Sequence, residues 1–258
     1  MMGHRSKQPG REVTTLALEE LGFHLYGDRD PHEIPAYGIA EAARYLGIPL
    51  STLRSWTLGQ AYTYRGEGKR FEPVIEIADP TRKYLSFYNL FEAYICDALR
   101  REHRVSLGQI RDAIRLIGTR LDPHGKHPLV EQRFATVGVS LFIEWYGELI
   151  GVKDPDQRII RAALEGYLKR VDRDRFGRVM RLYPFTRAPR IPDDPRVVVI
   201  DPTVMFGRPV IAGTRVATVM VYQRWKAGEG VQALAEDYAC LIPEIEEALR
   251  CENAEIAA

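Results

Sequence analysis

The sequence predicts a mainly α chain with smaller β elements, an α+β architecture of modules in series. Three observations carry that expectation. Residues 37 to 58 space their apolar side chains as two short crossing helices; after Arg120 the pattern breaks into turns and short β-rich runs; and a Gly/Pro-punctuated β-branched run at 207 to 215 leads into a helical tail. With 258 residues, the chain exceeds the rough guide of 100–200 residues per domain, so more than one module is expected. The boundaries read as an N-terminal arm (1–35), a winged helix-turn-helix (36–120), a middle α+β segment (121–183), a linker (184–196) and a hairpin-plus-three-helix domain (197–258).

In Tyr37 to Leu58, residues Ala42, Ala43, Leu46, Ile48, Leu53 and Trp56 fall where two helices crossing at a Gly47 turn share one core. Small Ala42 and Ala43 let the helices approach, and Leu53 and Trp56, three apart, share the inward face. Ser51, Thr52, Arg54 and Ser55 are left on the outer face of the second helix, placed to reach base edges or phosphates in a major groove. The bland alternative is a helical hairpin that only packs a domain. Tyr62 to Phe71 then alternates aromatics around a glycine-rich tip carrying Arg65, Lys69 and Arg70, the composition of a wing that grips phosphate. Pro73 to Ile77 reads as a strand, and Asp79-Pro80 as a turn. Ser86 reads as the cap of a helix running to about Arg101, and Ser106-x-x-Gln109 as a capping box opening another helix.

The pieces Ala42-Ala43, Leu46-Gly47-Ile48 and Thr52-Leu53-Arg54-x-Trp56 resemble the MerR and excisionase type of helix-turn-helix, which implies operator DNA as a partner. Pro49 departs from that pattern, since a Ser or Thr usually caps the second helix; proline presets φ but offers no side-chain acceptor. MerR regulators continue into a long dimerising coiled coil, whereas 120 to 190 holds no sustained heptad, so a homodimer must pair through another surface.

In the middle segment, Arg133 to Val137 and Leu141 to Tyr146 read as strands and Ile159 to Val171 as an amphipathic helix. Asp122, His124 and His127 are candidate metal ligands, yet no cysteine or second cluster closes a tetrahedral site, and no metal is expected. The Pro-rich run 184 to 195 reads as a linker, so the tail from Val197 is expected to work apart from residues 1 to 190.

At 207 to 215 the chain reads Gly-Arg-Pro-Val-Ile-Ala-Gly-Thr-Arg, a tight hairpin bent at Gly213. Together with Asp201-Pro202 upstream and Tyr238 downstream, this run resembles a bacterial family catalogued as a domain of unknown function. Its members are often VapB-type antitoxins encoded beside a PIN-like ribonuclease. The resemblance implies a toxin partner. Because PIN-type ribonucleases hold Mg²⁺ with clustered carboxylates, Arg208 and Arg215 are candidates to pair with those acids, with Pro209, Ile211 and Val216 as apolar anchors. Alternatively, either arginine holds the hairpin to its own domain, against Asp201 or Glu236.

Net charge is only +1, but it is uneven. Arg158 to Arg190 carries ten bases against three acids, a candidate anion-facing surface or an ordinary solvated one; from Val231 onward seven acids face Arg250 alone, which favours a cationic partner. No run approaches the ~18 apolar residues of a membrane span, no signal-peptide core is present, and Cys96, Cys240 and Cys251 form no framework, so a cytoplasmic protein is expected. Phosphate-loop, nucleophile-elbow and clustered-carboxylate motifs are missing from the sequence, which argues against catalysis, and no cofactor is expected. The reading is an antitoxin that binds a PIN-like ribonuclease toxin and represses its own promoter. The alternative is a stand-alone DNA-binding regulator whose tail only self-associates.

Overall fold

In the computed structural model the described residues are 26, 29–64, 67–103, 107–121, 126–130, 138–140 and 154–253. Strand β1 (Tyr37–Gly38) feeds α1 (Ile39–Leu46) and α2 (Leu50–Leu58), and these two helices form the helix-turn-helix. Ala42, Leu53 and Trp56 are fully buried between them, as the spacing predicts. Gly47 turns the chain in the left-handed region (φ 59°), and α2 starts at Leu50 with the Pro49 carbonyl accepting from the amides of Thr52 and Leu53 at 2.9 and 3.1 Å. Pro49 thus replaces the usual hydroxyl cap with its fixed φ and its own carbonyl.

The wing is an antiparallel pair, β2 (Gln60–Tyr64) with β3 (Glu67–Phe71), in register Gln60 to Phe71 and Tyr64 to Glu67. Tyr62 stacks on Phe71 at 4.2 Å across the two strands. Pro73 to Ile77, expected as a strand, is irregular instead. The amides of Val74 and Ile75 donate to the Trp56 carbonyl at 2.7 and 3.0 Å, so the segment closes the end of α2 rather than joining a sheet. Strand β4 (Tyr84–Leu85) pairs with β1, and α3 (Phe87–His103) follows, with the Ser86 hydroxyl accepting from the Asn89 amide at 3.2 Å. Its apolar residues Leu90, Phe91, Tyr94, Ile95 and Ala98 centre the main core.

Helix α4 (Leu107–Leu121) buries Ile110 and Ile117. Ser106, which the capping box requires, lies outside the described residues, as do Asp122, His124 and both strands expected at 133–137 and 141–146. Helix α5 (Asp154–Leu168) packs on α3 and starts five residues before Ile159, where the sequence reading began it; Val171 already belongs to a strand. That strand, β5 (Val171–Arg173), pairs with β6 (Val179–Leu182), a hairpin the sequence did not signal. In the tail, β7 (Val198–Val199) pairs antiparallel with β8 (Val210–Ile211), and a bridge from Leu182 to Ile200 joins the two pairs. Helices α6 (Thr218–Lys226), α7 (Val231–Tyr238) and α8 (Ile242–Glu252) complete the tail around a second core of Ile211, Val221, Leu234 and Ile245. The α+β class and the hairpin-plus-three-helix tail are therefore as the sequence predicts. Gly213 bends the chain (φ 78°), and β8 meets the segment after the bend, with Val210 opposite Ala217 and the Ile211 amide donating to the Val216 carbonyl at 2.9 Å, while its other edge pairs with β7.

Residues 184 to 196, expected as a linker, are a packed strap. Arg170, 1% exposed, donates to the carbonyls of Tyr183, Pro184, Pro192, Asp194 and Pro195, fixing the run at both ends. Tail and head also share the main core, because Val198, Ile200 and Cys251 pack into the same cluster as α1 and α2. Proline content signals a break in regular structure but not whether the broken segment is bound.

Beside α3, His127 bridges two carboxylates, its Nδ1 3.0 Å from Glu92 and its Nε2 3.2 Å from Glu33. His127 thus sits between two carboxylates in an ion-pair relay. Burial lowers its pKa, but the bonds and charge of Glu92 and Glu33 outweigh that and leave it raised above its ordinary 6.5. The sign follows: this contribution is complete below the unfolded value and is lost as pH rises through the raised folded one. Urea midpoints should therefore fall between about pH 6 and pH 8.5, and His127→Gln should flatten that fall. An identical slope in both proteins would remove the imidazole from the explanation.

Candidate nucleic-acid interface and partner surface

The outer face of α2 carries the predicted contacts. Ser51 and Arg54 are exposed, Thr52 and Ser55 are half-buried, and the Ser55 hydroxyl donates to the Thr52 carbonyl at 2.8 Å. Arg54 makes no ion pair or side-chain hydrogen bond among the described residues. On the wing every β3 residue is exposed, Lys69 and Arg70 included; Arg65 lies outside the described residues. Arg70 also donates to the Leu58 carbonyl at 2.6 Å, which fixes the wing against the end of α2. A bare cationic helix face and a braced cationic hairpin are thereby presented side by side, a geometry suited to groove and phosphate contact.

The head is braced from behind. Arg190, from the strap, donates to the Leu46 and Gly47 carbonyls of the turn and pairs with Asp97 of α3; Arg101 adds a 2.8 Å bond to the Gly47 carbonyl. Cations at the end of α1 also suit its dipole. Arg44 of α1 pairs with Glu252 at the end of α8, and that carboxylate, 2% exposed, accepts from the Thr218 hydroxyl at 2.5 Å. Next to it, burial pushes the Cys251 thiol up to about 12. None of these ties was signalled by the sequence, because their partners lie 34 to 208 residues away.

The charge runs look different once folded. Of the bases in 158 to 190, Arg170 is buried on carbonyls, Arg173 donates to the Val130 and Gly177 carbonyls, and Arg178, Arg181, Arg187 and Arg190 pair with Asp174, Asp201, Glu247 and Asp97. These six are thus tied to acids or backbone carbonyls of the chain, although Arg178, Arg181 and Arg187 stay exposed, as do Arg158, Arg161, Lys169 and Arg175. In the acidic tail, Glu247 and Glu252 point inward; Glu236, Asp237 and Glu246 remain exposed.

At the Gly-Arg-Pro run, Arg208 and Arg215 are exposed, and among the described residues neither makes an ion pair or a side-chain hydrogen bond. Neither therefore holds the hairpin to its own domain; Asp201 pairs with Arg181 instead. Two of the apolar anchors expected beside them face inward: Ile211 is wholly buried in the tail core, and buried Pro209 accepts from the Thr218 amide at 3.0 Å. Val216 is half-buried. Alternation along β8 turns Ile211 to the core, which a motif without its pairing partner does not show. The exposed large apolar residues beside this run are Phe206, 66% accessible, and Met205, which the sequence reading passed over.

The architecture defines a DNA-binding-type helix-turn-helix head joined to a compact α/β tail. Residues 35–114 match a family described as "Putative DNA-binding HTH domain", and residues 198–250 match "Protein of unknown function (DUF433)". The chain is 28% identical over 237 residues to the Mycobacterium tuberculosis protein named "Putative antitoxin VapB45", covering 84% of this chain and 93% of the relative. It is 25% identical over 221 residues to "Uncharacterized protein Rv2308" of the same organism, covering 83% and 88%. The crystal structure of Rv2018 from Mycobacterium tuberculosis matches with a TM-score of 0.62 at 27% identity, over 84% of this chain and 98% of that one. Among the described residues no helix is long and apolar enough to cross a membrane.

Glu252→Ala should destabilise the full chain by about 2 to 3 kcal/mol, below the ~3–5 of a wholly buried pair because Arg44 stays 35% exposed. In a double-mutant cycle with Arg44→Ala, the second change should add little. Additive losses in urea unfolding would show that the two side chains do not act as a pair.

Proposed function

We propose that this chain is an antitoxin that binds operator DNA through α2 and the wing and neutralises a PIN-like ribonuclease through its tail, repressing its own promoter as a homodimer. The observation that carries the reading is one chain in which an exposed Arg54 on α2 and exposed Arg208 and Arg215 coexist, none of the three with an ion pair or side-chain hydrogen bond among the described residues. The resemblance over most of the chain to a protein named as an antitoxin supports it. Nothing in the proposed action requires catalysis: Arg208 and Arg215 would compete with Mg²⁺ for the ribonuclease carboxylates, giving charge-assisted pairs. The exposed acids Glu236, Asp237 and Glu246 would steer a basic rim of the same partner, affecting on-rate more than final affinity. A regulator whose tail only self-associates remains the second reading. The observation favouring it is the apolar groove at the α7–α8 elbow, where Leu241 is 68% and Ile242 40% exposed.

Because head and tail share a core, the tests use the full chain. Arg54→Ala should weaken operator binding and relax sequence preference, as loss of a recognition-helix contact does. Joint Arg65/Lys69/Arg70→Ala should instead flatten the salt dependence of log K by up to about 3 units while leaving preference largely intact. A gel-shift salt series in which neither change alters affinity would refute the DNA-binding assignment.

Joint Arg208/Arg215→Ala should release the ribonuclease encoded beside this chain from inhibition while leaving operator affinity within about twofold. Continued inhibition, or a wild-type chain that binds no neighbouring ribonuclease, would favour the self-association reading. Light scattering at micromolar concentration checks the homodimer in either case.

A further inference from the structure

The loop before the Gly-Arg-Pro run is strained and displays an aromatic side chain. Met205, Phe206 and Gly207 have φ of 48°, 56° and 77°, so two consecutive residues with side chains occupy the left-handed region. The loop cannot easily relax. Asp201 accepts from the Thr203 amide and hydroxyl at 2.9 and 2.6 Å and pairs with Arg181, while the Val204 and Gly207 amides close successive turns at 3.0 Å. On its inner side the buried Tyr37 hydroxyl donates to the Gly207 carbonyl at 3.0 Å, and a Cβ at Gly207 would come within 2.2 Å of that hydroxyl. Strain maintained by this much surrounding structure is typical of a residue held for contact with something else.

Phe206 forms one lip of a crevice of about 350 Å³ between tail and head, lined also by Pro31, Pro35, Glu41, Tyr84 and Arg208. Tyr26 meets the Phe206 ring edge-on at 6.1 Å, and its hydroxyl donates to the Pro202 carbonyl at 2.8 Å. Opposite, Tyr84 is 41% exposed. Arg208 stands on the rim with no partner among the described residues, while one oxygen of Glu41 is already taken by the Tyr45 hydroxyl at 2.8 Å. The crevice therefore sets one cation, Arg208, and one anion, Glu41, among apolar and aromatic side chains, with Arg208 beside the Phe206 ring.

We propose that Phe206 is the apolar anchor of the partner surface, seating an apolar side chain of the ribonuclease in the crevice while Arg208 pairs with an adjacent carboxylate of that same protein. This deepens the toxin-binding reading and rests on it. It moves the contact from Pro209 and Ile211, which are buried, to the strained loop and Tyr84. It also sets the partner against the junction of head and tail rather than against the tail alone. An exposed aromatic ring beside an unpaired arginine is the composition of an interface hot spot.

The test uses the full chain with the ribonuclease encoded beside it, measuring its binding together with operator affinity and melting temperature. Phe206→Ala and Phe206→Gly should each weaken ribonuclease binding by at least about tenfold with operator affinity unchanged, and Tyr84→Ala should weaken it less. Phe206→Gly should melt no lower than wild type, since glycine occupies the left-handed region without penalty. That result separates an anchor from a structural plug. Ribonuclease binding within twofold of wild type in both Phe206 variants overturns the anchor while Arg208/Arg215→Ala still tests the parent reading. A clear drop in the melting temperature of Phe206→Gly overturns it too, because the ring would then serve the fold. If the wild-type chain binds no ribonuclease, the toxin-binding reading fails and the anchor falls with it.

Discussion

The pair between Arg44 and the buried Glu252 is the constraint on which the arrangement of this chain depends. A carboxylate taken out of water must be matched, and here one end of it meets a guanidinium from α1 and the other the hydroxyl of Thr218. The result is that the last helix of the tail is fastened to the first helix of the DNA-binding head. Cys251, next in the chain, completes the contact by entering the same apolar cluster as Ala42, Leu53 and Trp56. Head and tail are thereby mechanically continuous through α1 and α8.

Arginines do much of the remaining joining, and they do it through backbone oxygens as much as through acids. Arg170 gathers five carbonyls of the strap, and Arg190 takes two at the turn of the helix-turn-helix. A planar guanidinium with five donors suits irregular segments, whose carbonyls no ladder satisfies. By contrast, Arg54 on α2, Arg208 and Arg215 face solvent with no ion pair or side-chain hydrogen bond among the described residues.

This economy explains which parts of the candidate sites were legible. Ser51, Arg54 and the inward Leu53 and Trp56 follow from helical period alone, since each residue's face is set by its neighbours three and four positions away. The wing and its register follow from alternation. Ile211 was misread because a two-residue strand has an inward face only once its partner is known, and β7 lies eleven residues upstream. Phe206 was missed for a related reason: a ring in a Met-Phe-Gly stretch is ordinarily core, and only the left-handed loop turns it outward.

By itself the sequence determined the α+β class, the helix-turn-helix with its hairpin, the bend at Gly213 and the outward face of α2 that carries Arg54, because these rest on local periodicity, turn chemistry and side-chain type. Only the tertiary structure decided that the Pro-rich run is a bound strap, that six of the arginines in 158 to 190 are tied to acids or backbone carbonyls of the chain, and that Glu247 and Glu252 point inward. The physical reason is the same in each case. Whether a charge or a carbonyl is satisfied depends on partners distant in the chain, and those partners meet only when the two cores close.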